Sequence, residues 1–439
     1  MIFHARSLWR RLVLAGLATI SLAACQSSPP DPEPTFTQVR KITLDDSLDY
    51  DVLGSSVAFD GSQLLAGTRF DQMSYATSLD GRAHLFSRNT GGTDAWGEVK
   101  RFTVSDGFTF EQFGYAVALG GDTGFIGAPQ EDDIETNAGA VHVFTRDQGG
   151  AGAWGETKRL AASDGAHGDF FGQAISLDGD TALVGAPGNS VAANGGGAVY
   201  VFARDQGGPG NWGETAKIMP SDPHDAARFG SSVALAGDIA VIGAYRDGAL
   251  GSLYGAAYVF YRGGGNPATW QEIKKLAAYD AADWDGFGVS VAVSGDLVIV
   301  GADTKHEAGV EEGAAYIFGR NQGGADNWGL IKKLSAADAA PDDAFGTSVS
   351  LSGDYVLVGA PGVNGGPVII LGAVYVFRRN LGGADAWGLM GKVTPSDAGE
   401  NCQFGRSTAL AGDLFAVGGP AKPNGGVHRG AVYVFRIDP

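Results

Sequence analysis

Acids are the residues of this 439-residue chain that recur with the regularity of a site. Asp46, Asp106, Asp164, Asp222, Asp280, Asp338 and Asp397 each stand eight residues before a recurring glycine. Asp51, Glu111, Asp169, Asp285 and Asp343 stand three residues before the same glycine, and this second series breaks at Ala227 and Cys402. Paired acids at a repeated turn admit two chemistries. A carboxylate of the first series can accept backbone N–H groups and cap the turn, as Asp does in turns generally. Alternatively, the pair forms a weak calcium site, although such a cation wants about six or more oxygen ligands. Capping is the simpler reading, and no cofactor is expected. Other catalytic signals are sparse. His306-Glu307 opens like a zinc-protease motif, but position 310 is Val. There is no Gly-x-Ser-x-Gly elbow, Walker loop or paired-cysteine zinc motif. His84, His142, His167, His224, His306 and His428 fall at positions that look unrelated, the pattern of incidental residues.

A repeat places the acids. Phe113-Gly114, Phe171-Gly172, Phe229-Gly230, Phe287-Gly288, Phe345-Gly346 and Phe404-Gly405 are preceded by a variant copy, Leu53-Gly54. The glycines lie 60, 58, 58, 58, 58 and 59 residues apart. Thirteen residues after each comes another: Gly67, Gly127, Gly185, Gly243, Gly301, Gly359 and Gly418. Three of these open a Gly-Ala-Pro, at 127–129, 185–187 and 359–361. An alternating run follows, such as Ala198-Val199-Tyr200-Val201-Phe202, and ten residues after its Phe stands a Trp: Trp96, Trp154, Trp212, Trp270, Trp328 or Trp387.

Each unit therefore reads as four short strands. The first follows the Phe-Gly. A two-residue Gly-Asp turn such as Gly179-Asp180 leads to the second, a short-hairpin signal. The third is the Val-Tyr-Val-Phe run, and the fourth follows the Trp. Four antiparallel strands make a propeller blade, and one such sheet cannot bury both faces, so the units must stack in a ring. The predicted fold is all-β, a seven-bladed β-propeller over residues 36–439. Its seventh unit ends near Phe435, without a Trp or a fourth strand. Phe36 stands in the Trp position before Gly54, and Thr37–Leu44 matches a fourth strand. The N-terminal segment is thus expected to complete the last blade and close the ring.

These units resemble FG-GAP repeats, the propeller repeats of integrin α subunits and of many bacterial surface proteins. The resemblance spans Phe36 to Phe435 and is specific for fold, not for function. In the integrin-type repeat a calcium loop of Asp-x-Asp-x-Asp-Gly type separates the Phe-Gly and Gly-Ala-Pro strands. Here a minimal turn such as Leu177-Asp178-Gly179-Asp180 takes its place, so that metal site is not carried over.

The first 24 residues read as a signal peptide. Arg6, Arg10 and Arg11 precede an apolar run from Leu12 to Ala24, too short to span a bilayer. The run ends in Leu22-Ala23-Ala24-Cys25, which resembles the lipobox of bacterial lipoproteins. That implies cleavage before Cys25, lipid on its sulfur, and stable anchoring once two or more chains are attached. With Cys25 so committed, one cysteine is left and no intrachain disulfide can form. Asp directly after the lipidated cysteine retains enterobacterial lipoproteins in the inner membrane. Gln26 here implies the outer membrane if the host has one, otherwise the cell surface. Residues 25–35 form a Pro-rich tether.

The net charge is −18, and −21 without residues 1–24. This argues against nucleic acid as a partner. The loops between second and third strands differ from repeat to repeat. In an antiparallel blade they share a face with the acid-bearing turns. The candidate partner-binding residues on that face are Phe70, Tyr75, Asp132, Asp133, Tyr245, Leu253, Tyr254, Ile369 and Ile370. Varied loops on a fixed scaffold are where a ligand site is expected, although surface loops also drift without purpose. The leading function is a monomeric, non-catalytic scaffold for protein or glycan interaction or adhesion at the bacterial envelope. The alternatives are a structural spacer, or an enzyme with its site at the propeller channel.

Overall fold

A computed structural model of the chain describes residues 35–44, 51–70, 81–104, 111–248, 253–266, 268–307, 310–366, 369–397, 402–421, 423–424, 427–428 and 430–438. Blade 3 shows the common plan. Strands A (Ala174–Asp178), B (Thr181–Ala186), C (Ala198–Ala203) and D (Gly213–Ile218) pair antiparallel in that order. Asp178 pairs with Thr181 around Gly179, whose φ of 55° suits the first position of a type II′ turn. Strands B and C are buried throughout, as their β-branched and aromatic composition requires. D faces solvent on one side.

The same four strands form blade 1 (Asp51–Phe59, Gln63–Phe70, Arg82–Ser87, Gly97–Phe102) and blade 2 (Val117–Gly120, Thr123–Ala128, Ala140–Arg146, Trp154–Leu160). Blade 4 uses Ser232–Ala236, Ile239–Ala244, Ala256–Arg262 and Trp270–Leu276, and blade 5 uses Phe287–Ser294, Leu297–Ala302, Ala314–Gly319 and Gly329–Leu334. Blade 6 uses Ser348–Ser352, Tyr355–Ala360, Ala373–Arg378 and Gly388–Val393. Blade 7 supplies Ser407–Ala411, Leu414–Gly419 and Ala431–Ile437, and its D strand is Phe36–Ile42. The fold is the expected seven-bladed propeller, closed by the N-terminal strand.

That strand copies its counterparts in detail. In the other six blades the C–D ladder skips one residue of D, Thr215 in blade 3. The N-terminal strand skips Val39 at the same place, pairing Gln38 with Phe435 and Arg40 with Val434. Such a bulge bends and twists the outer strand.

The core lies between blades. Each of the seven hydrophobic clusters draws on two adjacent blades. One spans the seam, packing Ile42, Leu44 and Leu53 with Val432 and Val434. The Phe of each Phe-Gly is buried edge-on against strand C of its own blade, as Phe171 is 5.5 Å from Tyr200. The two glycine series meet across each blade boundary. A Cβ on Gly127 would lie 2.1 Å from the Gly172 carbonyl oxygen, and one on Gly418 would lie 2.0 Å from that of Gly54. Serines two residues after the Phe-Gly glycine fasten the same joints. Ser232 Oγ donates to Gly288 O at 2.8 Å, and Ser407 Oγ to Gly54 O at 2.8 Å.

Candidate functional site

The recurrent acids are spent inside the scaffold. Strand C offers a Tyr and strand D a Lys to the Asp that stands eight residues before the glycine. Tyr200 Oη donates to Asp164 at 2.6 Å, and Lys217 Nζ lies 2.7 Å from it. Asp222, Asp280, Asp338 and Asp397 repeat this with Tyr258 and Lys275, Tyr316 and Lys333, Tyr375 and Lys392, and Tyr433 and Lys41. Burial opposes their ionisation. The Lys and Tyr hydrogen bonds outweigh it and hold Asp164, Asp222, Asp280 and Asp338 below the usual carboxylate range. Burial, together with the adjacent carboxylate, pushes the tyrosines up.

Turn capping therefore belongs to the other acid series, which corrects the sequence reading. Asp169, Asp285 and Asp343 accept the backbone N–H three residues earlier, from Ala166, Ala282 and Ala340, at 3.1, 2.6 and 2.9 Å. Asp46 and Asp106 lie outside the described residues. Among the described residues, no cluster of three or more His, Cys, Asp or Glu is arranged to hold a metal ion.

The histidines also need correction, because His84 and His142 are equivalent. Both replace the strand C Tyr, in blades 1 and 2. His142 sits between Glu156, 2.8 Å from Nδ1, and Glu131, 3.0 Å from Nε2. Two carboxylates on the two ring nitrogens require both nitrogens to donate. Burial alone would lower the pKa, but these bonds and charges raise it to about 9. Arg159 joins the network through Glu131.

On the face formed by the B–C and D–A loops, an axial cavity of about 820 Å³ opens. The residue after each Phe-Gly lines it: Ser55, Tyr115, Gln173, Ser231, Val289, Thr347 and Arg406. These seven equivalent positions hold six residue types. Further lining comes from the third position of the Gly-Ala-Pro motif, where blades 4 and 5 replace Pro with Tyr245 and Asp303. Thr347 Oγ1 donates to Asp303 at 3.3 Å. Burial raises the Asp303 pKa, against the opposing pull of Arg406 and Thr347.

Beside this cavity, between the loops of blades 4 and 5, lies a pocket of about 340 Å³. Its walls are Tyr245, Arg246, Leu253, Trp284, Val289, Asp303, Thr304, His306 and Glu311, with Gly286 among them. Trp284 is 60% exposed, on a loop that also carries the exposed Tyr279.

The predicted binding residues divide. Tyr245 and Ile370 line the axial cavity, and Tyr245 and Leu253 the side pocket, with Tyr254 exposed next to Leu253. Asp132 and Asp133 stand apart from both. Asp132 accepts the Asn137 N–H at 2.6 Å, and Asp133 pairs with Arg159 at 3.1 Å. Tyr75 and Cys25 lie outside the described residues, as do the side chains of Phe70 and Ile369. Sequence reasoning missed Trp284, Asp303 and Glu311. A signal for Trp284 was present: of eight tryptophans, six are periodic and Trp9 is in the leader, which leaves Trp284 unexplained.

Comparison with known families matches the FG-GAP repeat to residues 96–144, 154–202, 212–260, 270–318, 328–377 and 387–435. Each match runs from the Trp to the Phe that ends the Val-Tyr-Val-Phe run. The unit that starts at Phe36, with Leu53 in place of Phe, is not among them. No curated protein sequence matches the chain.

Proposed function

The chain belongs to the FG-GAP repeat family, and on that premise we propose that it is a non-catalytic binding scaffold whose ligand surface is the B–C and D–A loop face. One observation carries this reading. The residues that build the blades repeat, whereas those around the axial cavity differ from blade to blade. A rigid frame presenting varied side chains around one concavity suits recognition. The perturbed acids and histidines are bound into intrablade networks, which leaves no nucleophile–base pair assembled in the cavity.

The expected ligand is a protein or glycan at the bacterial envelope, with Cys25 carrying the lipid that holds a monomeric propeller at the membrane. The acidic charge of the chain disfavours nucleic acid. The full-length chain and a Tyr245→Ala/Ile370→Ala variant would be compared in capture from native envelope extracts. Loss of a specific ligand by the variant supports the reading. Equal capture by both moves the ligand surface elsewhere, and no capture by either favours a spacer. Cys25→Ser should leave the membrane fraction or stay unprocessed. Mature protein still fractionating with lipid would refute the anchor.

A further inference from the structure

We infer that the pocket between the blade 4 and blade 5 loops is a saccharide subsite with Trp284 as its stacking platform, an inference that rests on the loop face being the binding face. Trp284 stands four residues before the Phe-Gly glycine. The equivalent residues Gly168, Ala226 and Asp342 have φ of 76°, 58° and 66°, and Trp284 has 69°. The scaffold thus demands left-handed backbone there. Small or turn-forming residues take it readily, whereas a bulky aromatic is disfavoured. With its ring 60% exposed, Trp284 recovers little of that cost through burial. A residue that works against the fold and faces solvent is the signature of a functional position.

The ring is also held ready. Trp284 N–H donates to Leu253 O at 2.9 Å, and its carbonyl accepts from Thr304 Oγ1. The next residue, Asp285, is fully buried and lies 3.0 Å from Lys305 Nζ, where other blades carry Glu131, Asn189, Asp247 or Val363. The platform is therefore ordered before a ligand arrives, which lowers the entropic cost of binding.

Gly286 opens the floor. Equivalent positions carry Gln112, Phe170, Arg228, Ala344 and Gln403, all at positive φ. A Cβ on Gly286 would lie 2.9 Å from Thr304 Oγ1 and 3.0 Å from Asp303 Oδ1, so its absence keeps Asp303 reachable. The lining chemistry selects the ligand class. Tyr245, Leu253, Trp284 and Val289 offer apolar faces, while Asp303, Thr304 and Glu311 offer hydrogen-bonding edges. Arg246 offsets part of the acidic charge, and His306 stands 4.0 Å from Glu311. A pyranose has an apolar C–H face and a rim of hydroxyls that both donate and accept, which fits such walls. The acidic chain disfavours an anionic sugar, and Arg246 with Arg406 disfavours a cationic peptide. Hence the ligand is a neutral saccharide. At about 340 Å³ the pocket holds a short unit, and Tyr245, Val289 and Asp303 join it to the axial cavity, where a longer chain continues.

The test titrates the full-length chain with neutral hexasaccharides: α- and β-linked glucans, xylan and N-acetylglucosamine oligomers. Calorimetry would be combined with acrylamide quenching of tryptophan fluorescence. One class should bind and shield the exposed ring. Trp284→Gly and Gly286→Gln should each weaken binding by about tenfold or more, a 1.4 kcal/mol change, without lowering Tm. Unchanged affinity in both variants places the site elsewhere. A Tm loss in Trp284→Gly makes the ring structural. If no saccharide binds while capture still depends on Tyr245 and Ile370, the saccharide class is wrong and the binding face stands. If that capture fails as well, both readings fall.

Discussion

Gly418→Ala should wedge the ring at its seam. Gly418 has ordinary strand backbone, so the substitution adds no conformational strain. Its Cβ, however, would lie 2.0 Å from Gly54 O and 2.4 Å from Ser407 Oγ. The obstacle is mainly a backbone carbonyl of the next blade, which no rotamer change can remove. Blades 7 and 1 must separate, and the 2.8 Å Ser407–Gly54 hydrogen bond goes with them. Overpacking costs about 1–3 kcal/mol and the lost hydrogen bond about 1 kcal/mol, for about 2–4 kcal/mol together. Unfolding entropy of about 2.1 cal/mol/K per residue gives a body of roughly 400 residues about 0.8 kcal/mol/K, so Tm should fall by about 3–5 °C. Gly412→Ala is the matched control. Its φ of 63° makes Ala strained, yet nothing lies within 4 Å of the added Cβ. Left-handed backbone costs about 1–2 kcal/mol, or about 1–2 °C. Calorimetric melting of both variants checks the comparison. Equal shifts would refute the claim that close glycine contact across blades, and not backbone freedom, holds the seam.

Deleting residues 36–44 should give aggregated or protease-sensitive protein, while deleting residues 26–34 should be harmless; limited proteolysis compares them. Buried Ile42 and Leu44 alone are worth about 3–6 kcal/mol, and the deletion bares the edge of Ala431–Ile437 for pairing with another chain. His142 has a folded pKa of about 9, above its ordinary 6.5. Its stabilising contribution is therefore full below pH 6.5 and lost as pH rises through 9. The shift is worth about 3 kcal/mol, and His142→Tyr should flatten the fall in Tm across that window. A chelator should leave Tm unchanged, because the described acids of the first series are already paired with Tyr and Lys. A clear drop would reveal a bound cation.

The repeat spacing alone determined the propeller, its seven blades and the N-terminal strand of the last one. Periodic Phe-Gly, Gly-Ala-Pro and Trp positions report local geometry that each unit must satisfy in the same way. What the acids do could not be read from spacing, because Asp164, Tyr200 and Lys217 are 36 and 17 residues apart in sequence and meet only when strands C and D fold over the D–A turn. For the same reason His84 and His142 looked unrelated until strand register aligned each with a Tyr of the other blades. The paired glycines were visible, but their purpose was not: Gly127 touches Gly172 of the next blade, and Gly418 touches Gly54 at the far end of the chain. The candidate subsite was least legible. Trp284, Gly286 and Asp303 depart from the repeat separately, and only the packing of blade 4 against blade 5 brings them to one pocket with Tyr245 and Leu253. Regular positions answer to forces within a blade, which a periodic sequence displays. A pocket answers to the juxtaposition of irregular residues from neighbouring blades, and that exists only once the ring has closed.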